Sequence, residues 1–115
     1  MRNYKFIAKA FYYDLIKNRK KAIRYYSSSD LDNGFVNYRH ATNLFRCGLY
    51  KKADCFFEKA ISSGVTYPDC FYKAAKVKEA LGDKKGALNL ISEAIKRKPN
   101  EISWIELYYN VGGGK

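Results

Sequence analysis

Apolar residues recur along this chain at helical spacing. In "GLYKKADCFFEKAIS" (48–62), Ala53, Phe56, Phe57, Ala60 and Ile61 share one helix face. In "GDKKGALNLISEAIK" (82–96), Ala87, Leu90, Ile91, Ala94 and Ile95 do the same. The two segments align without a gap, each residue 34 positions from its counterpart. Amphipathic stretches precede both, "FVNYRHATNLFRC" (35–47) and "DCFYKAAKVKEAL" (69–81). Gly48 and Gly82 fall between the paired stretches, where a glycine in the left-handed region ends a helix at low cost. Pro68 suits a first helical turn, and Pro99 closes the helix ending in "KRK", whose charges favour a helix C-terminus. The unit is helix, tight turn, helix.

A helix pair repeated at this period resembles the tetratricopeptide repeat. In "PDCFYKAAKVKEALGDKKGALNLISEAIKRKPN" (68–100), Phe71 matches the family's early large residue, and Ala75 and Ala87 its small contact positions. Gly82 and Asp83 match its turn, and Ile91, Ala94 and Pro99 its later large, small and proline positions. Lys78 departs, since the family places an aromatic residue or Leu there. In the preceding unit Ala41, Leu44, Gly48, Ala53, Phe57 and Ala60 fit, whereas Asn37 stands for the early large residue and Val65 for the proline.

The front of the chain offers a third unit. "NRKKAIRYY" (18–26) resembles the opening of a second helix, with Ala22 small and Tyr26 large, and Phe6, Ala10 and Tyr13 take the first-helix positions. No glycine marks the turn, so Asn18 must serve, and the alternative is one continuous helix from about Asn3 to Tyr26. After Pro99, "EISWIELYYNV" (101–111) continues as a helix able to cover the last pair with Trp104, Ile105, Leu107, Tyr108 and Val111. Alternatively it opens a further repeat. The expected fold is all-α, an α-solenoid of about three tetratricopeptide-like hairpins plus a C-terminal capping helix. A single domain is expected at 1–111, with a front repeat at 3–33, repeats at 34–67 and 68–101 and a capping helix at 102–111, followed by a Gly-rich tail or linker at 112–115.

Composition supports a folded domain of this class. Of 115 residues 47% are hydrophobic and only two are proline, so long helical windows remain. Lys and Arg number 22 against 11 Asp and Glu, a net charge of +11. The excess is concentrated before residue 31, where Arg2, Lys5, Lys9, Lys17, Arg19, Lys20, Lys21 and Arg24 face only Asp14 and Asp30. Such a field favours acidic partners without choosing among protein, anionic lipid, nucleic acid and acidic glycan. Three cysteines without a C-x-x-C pair suggest neither a disulfide framework nor a zinc ribbon; Cys47, Cys55 and Cys70 read as reduced thiols. No signal peptide or spanning helix is expected, and the location expected is cytoplasmic, peripheral to a membrane if the basic face meets anionic lipid.

Catalytic chemistry has no foothold in this pattern. His40 is the single histidine and reads as a partly buried structural residue. Asp14, Asp32, Asp54, Glu58, Glu79, Glu93 and Glu106 are scattered and form no recognisable acid–base pair. "SSSD" (27–30) is a solvated turn rich in capping residues. "GGGK" lacks the first Gly of a phosphate loop. No enzyme activity, cofactor, metal or small-molecule substrate is expected.

Function therefore rests on binding. The resemblance implies a groove lined by the first helix of each pair that holds a protein or peptide segment. Carried over, its positions are Tyr4 and Phe11 in the front unit, Tyr38, Thr42, Phe45 and Arg46 in the second, and Asp69, Tyr72, Lys76 and Glu79 in the third. Partner-binding side chains are thus expected at Tyr4, Phe11, Tyr38, Thr42, Arg46, Tyr72 and Lys76, with Tyr38 and Tyr72 exposed in the free protein. A family subset clamps a terminal carboxylate with Lys, Asn and Arg, but Tyr38 and Thr42 occupy two of those places here. Two alternatives remain. One is a basic patch of Lys17, Arg19, Lys20, Lys21 and Arg24 binding an anionic lipid, nucleic acid or acidic glycan. The other is the repeat part of a larger enzyme, such as a bacterial glycosyltransferase.

Overall fold

Each uninterrupted stretch with one apolar face folds as a helix. The computed structural model describes residues 4–114, all of whose regular structure is helical. Seven helices follow in order: α1 (Lys5–Leu15), α2 (Arg19–Ser28), α3 (Gly34–Arg46), α4 (Tyr50–Ser62), α5 (Pro68–Ala80), α6 (Lys84–Arg97) and α7 (Ile102–Asn110). They form two compact units, one comprising α1–α4 up to Val65 and one comprising α5–α7 from Thr66 onward. Within the units α1 pairs with α2, α3 with α4, and α5 with α6; α2 also packs on α3, and α7 on α6.

The hairpins share one turn geometry. Gly48 and Gly82 take φ of 77° and 84°, the left-handed region that an L side chain enters at a cost. The next amide then reaches back five residues, Leu49 N–H to the Leu44 carbonyl (2.9 Å) and Asp83 N–H to the Lys78 carbonyl (2.8 Å). The front segment makes the same turn without a glycine. Lys17 adopts φ 62°, and Asn18 N–H donates to the Tyr13 carbonyl at 2.9 Å. The expected turn residue is thus corrected from Asn18 to Lys17. Asn18 instead caps α2, its side-chain oxygen accepting from Lys21 N–H at 3.3 Å.

Alanines sit where the paired helices meet. Ala10, Ala22, Ala41, Ala53, Ala60, Ala75, Ala87 and Ala94 are all fully buried, as are the larger Leu44, Phe57 and Ile91. An enlarged side chain at such a site has no void to fill. Ala87→Leu should lower stability by about 1–3 kcal/mol, read as a reduced urea midpoint with an unchanged slope. Asn37, which replaces a large apolar residue, is buried and donates from Nδ2 to Asp32 Oδ1 at 2.8 Å, tying α3 to the segment before it.

The second unit is closed by α7, which buries Trp104, Leu107 and Val111. Trp104 stacks on Tyr72 of α5, with ring centroids 5.2 Å apart and planes 18° apart. Within the described part of the glycine run, Gly113 N–H donates to the Tyr108 carbonyl at 2.8 Å and closes α7. The rest of the "GGGK" segment, Lys115, lies outside the described residues, as does Asn3 at the front.

Candidate functional site: a cationic aromatic pocket of the first unit

Helical spacing gives α1 and α3 one face each toward an open pocket of about 620 Å³. Phe11, Asp14 and Leu15 line it from α1, and Lys17 and Arg19 from the turn and the start of α2. Phe35, Tyr38, Arg39, Asn43 and Arg46 line it from α3, mostly at three- and four-residue intervals. Its apolar part is a run of rings. Phe11 lies 6.1 Å from both Phe35 and Tyr26, and Phe35 lies 6.5 Å from Tyr38.

A half-buried carboxylate fixes the pocket floor. Asp14 accepts the Tyr26 hydroxyl of α2 at 2.7 Å, and Arg39 of α3 at 2.8 Å from Nε and 2.7 Å from Nη2. One side chain therefore ties three helices together, in the two-pronged geometry that suits a guanidinium. Arg39 also lies over the Tyr38 ring, 5.6 Å from its centroid, and Asn43 Nδ2 donates to the Arg39 carbonyl at 2.8 Å. Burial pushes the Asp14 carboxyl upward, but hydrogen bonds from Arg39, Tyr26 and Asn43 outweigh it and hold the group below the usual range. Burial and the bond to Asp14 raise the Tyr26 phenol, while the bond to Asp14 raises the Arg39 guanidinium. The floor is charged, and the Asp14 carboxylate is satisfied by three hydrogen bonds from two helices.

The rim differs. Lys17, Arg19 and Arg46 have no carboxylate partner among the described residues. Three cations around a ring-lined pocket, with the Asp14 charge already matched by Arg39, leave the site positive.

Of the side chains expected to bind a partner, Phe11, Tyr38 and Arg46 line this pocket, and Tyr4 does not. Thr42 is fully buried and its hydroxyl donates to the Tyr38 carbonyl at 2.8 Å, so it offers nothing to a partner. Tyr38, expected to be exposed, is only 9% exposed; it lies on α3, which packs on both α2 and α4, and Arg39 and Phe35 stand beside its ring. In the second unit Tyr72 is half-buried under Trp104, also against expectation, and Lys76 Nζ lies 5.7 Å from the Tyr72 ring centroid. Of the basic patch, Lys17 and Arg19 reach the pocket, whereas Lys20, Lys21 and Arg24 do not; Lys21 Nζ sits 5.1 Å over the Tyr13 ring. The Asp14–Tyr26–Arg39 group went unseen in the sequence.

His40 lies apart from this pocket. It is buried between Tyr26 (5.6 Å) and Phe56 (4.3 Å), with Nδ1 unpartnered. Burial, with Lys52 and Lys59 nearby, lowers its pKa to about 4, so it is neutral at pH 7. Burial likewise pushes the Cys70 thiol up to about 12, leaving it a packed apolar group. Among the described residues no three His, Cys, Asp or Glu side chains could hold a metal ion, and no helix is long and apolar enough to cross a membrane.

No family model and no curated protein sequence matches the chain. Solved structures do match its fold. YrrB, a TPR protein with an unusual peptide-binding site, superposes with a TM-score of 0.82 at 22% identity, over 92% of this chain and 56% of that one. The first TPR of Spaghetti (RPAP3), bound to the HSP90 peptide SRMEEVD, gives 0.79 at 16% identity, over 92% and 86%. PcrH in complex with the chaperone binding region of PopD gives 0.71 at 17% identity, over 94% and 84%. With helix pairs at a 34-residue period, shared turns and buried small contact residues, this chain has the fold of the tetratricopeptide-repeat domains.

Proposed function

We propose that the chain is a non-catalytic scaffold or adaptor module that binds a protein or peptide segment in the pocket between α1 and α3. The observation that carries this reading is the pocket itself, where the exposed rings of Phe11 and Phe35 and the buried ring of Tyr38 stand beside Lys17, Arg19 and Arg46, which no carboxylate among the described residues neutralises. Rings give contact area at low entropic cost, and unpaired Lys17, Arg19 and Arg46 suit an acidic segment. Three fold neighbours are described with peptide or protein segments as ligands, which supports the same use here. Phe11 is the anchor, being 39% exposed and in contact with two buried or rim rings. Tyr38 shapes the floor, and Arg46 supplies charge at the rim. Tyr72 and Lys76 offer a further aromatic and cationic contact in the second unit.

Peptides selected on the intact chain from a random display library provide the test. Phe11→Ala and Arg46→Ala should each weaken the selected peptide by more than about 1 kcal/mol while the melting temperature stays nearly constant. Selection of peptides whose affinity ignores both changes would remove the pocket from the reading.

A further inference from the structure

The α1–α2 and α3–α4 turns of the first unit present a second surface, which shares Leu15, Lys17, Arg19 and Arg46 with the pocket rim and extends beyond it through Ile16, Leu49, Lys20, Lys51 and Lys52. Leu15 and Arg46 line one pocket, so the α1–α2 and α3–α4 turns lie side by side at one end of the unit. That end exposes aliphatic side chains: Leu15 is 81% exposed, Ile16 51% and Leu49 44%, and Tyr50 is exposed beside them. Residues 15–21 carry Lys17, Arg19, Lys20 and Lys21, residues 46–52 carry Arg46, Lys51 and Lys52, and neither segment contains Asp or Glu. None of these cations is paired with a carboxylate among the described residues. The connection at the opposite end, residues 27–34, carries Asp30 and Asp32 and no cation. The end formed by the α1–α2 and α3–α4 turns is therefore densely cationic and tipped with apolar groups, whereas the opposite end mixes Asp30 and Asp32 with Lys5, Arg24 and Lys59.

We propose that this end docks on an anionic lipid bilayer, with Ile16, Leu15 and Leu49 entering the headgroup–acyl boundary and the surrounding cations meeting the lipid headgroups. Charge complementarity selects an anionic surface. The aliphatic tips select lipid over nucleic acid, because a bilayer offers them an apolar interior and a phosphate backbone does not. A ring of cations around a few apolar side chains combines two weak signals into one reversible attachment. The helices themselves remain outside the bilayer.

Cosedimentation of the intact chain with vesicles tests this, using phosphatidylcholine alone or with phosphatidylserine at about 30 mol%. The informative variants avoid the peptide pocket, since Ile16, Leu49, Lys20, Lys51 and Lys52 do not line it. Binding should require phosphatidylserine. Lys20→Gln, Lys51→Gln and Lys52→Gln together should reduce it about a hundredfold, and Ile16→Ser with Leu49→Ser about tenfold. Circular dichroism unchanged in both variants shows that folding is intact, since all five positions are exposed. Equal binding to neutral vesicles, indifference to the Ile16 and Leu49 changes, or binding to a nucleic acid duplex without binding to vesicles would each overturn the proposal.

Discussion

Acidification from pH 6.5 to 4 should destabilise the first unit by about 3 kcal/mol, and His40 should account for most of it. The imidazole is 4% exposed, packed between the Tyr26 and Phe56 rings, with no partner for Nδ1. Its pKa falls from the usual 6.5 to about 4 on folding, through burial first and then Lys52 and Lys59 of α4. Between these values the unfolded chain holds a proton that the folded chain does not. Stability is therefore complete above 6.5 and is lost as the pH falls toward 4. Asp30 and Asp32 line the small cavity beside the ring and would soften the loss. Asp14 adds a separate decline further down, because its folded pKa is depressed and its contribution disappears only when the carboxylate is protonated. Urea melts across this range distinguish the two. His40→Phe keeps a ring against Tyr26 and Phe56 and should flatten the curve between 6.5 and 4 while leaving the lower limb. An unchanged slope in that variant would assign the effect elsewhere.

The helix pairs were legible because their signals are local. Gly48 and Gly82 mark turns at one interval, and the small residues Ala53, Ala60, Ala87 and Ala94 stand at matching positions, all of them fully buried. The front turn was less legible because its left-handed residue is Lys17, a type that carries no turn signal. The pocket was only partly legible. The register identified Phe11, Tyr38 and Arg46, but placed Thr42 on the open face and expected Tyr38 to be exposed. Helix α3 packs on both α2 and α4, so most of the span from Val36 to Leu44 is buried and amphipathic spacing cannot separate a core face from a binding face. The floor was illegible because Asp14 and Arg39 stand 25 residues apart and only the fold joins them. One hint was available. Asp14 is the single carboxylate before Asp30, in a stretch dense with cations, which marks a group under strong local attraction.

That carboxylate also gives the second large effect. Asp14→Ala should cost about 2–4 kcal/mol, more than the loss of an exposed ion pair, because it leaves three buried or half-buried donors without an acceptor. Those donors are the Tyr26 hydroxyl and the Nε and Nη2 groups of Arg39. Partial access of water to Arg39, whose side chain is 29% exposed, keeps the loss toward the lower part of that range. Removing the arginine as well relieves much of the penalty. Arg39→Met retains a long apolar stem against the Tyr38 ring and eliminates the unpaired charge, so the double variant should be more stable than the two single losses predict. The cycle should return a coupling of about 1–2 kcal/mol. Strict additivity would mean that Asp14 and Arg39 act independently and that the floor is held by packing alone. If the coupling is found, Asp14→Ala should also loosen the pocket and weaken a selected peptide, although Asp14, already matched by Arg39, would repel an acidic ligand less than a free carboxylate. A peptide bound more tightly by Asp14→Ala would identify the carboxylate as an electrostatic brake, and one bound more weakly would identify it as the brace that sets the positions of Phe11 and Tyr38.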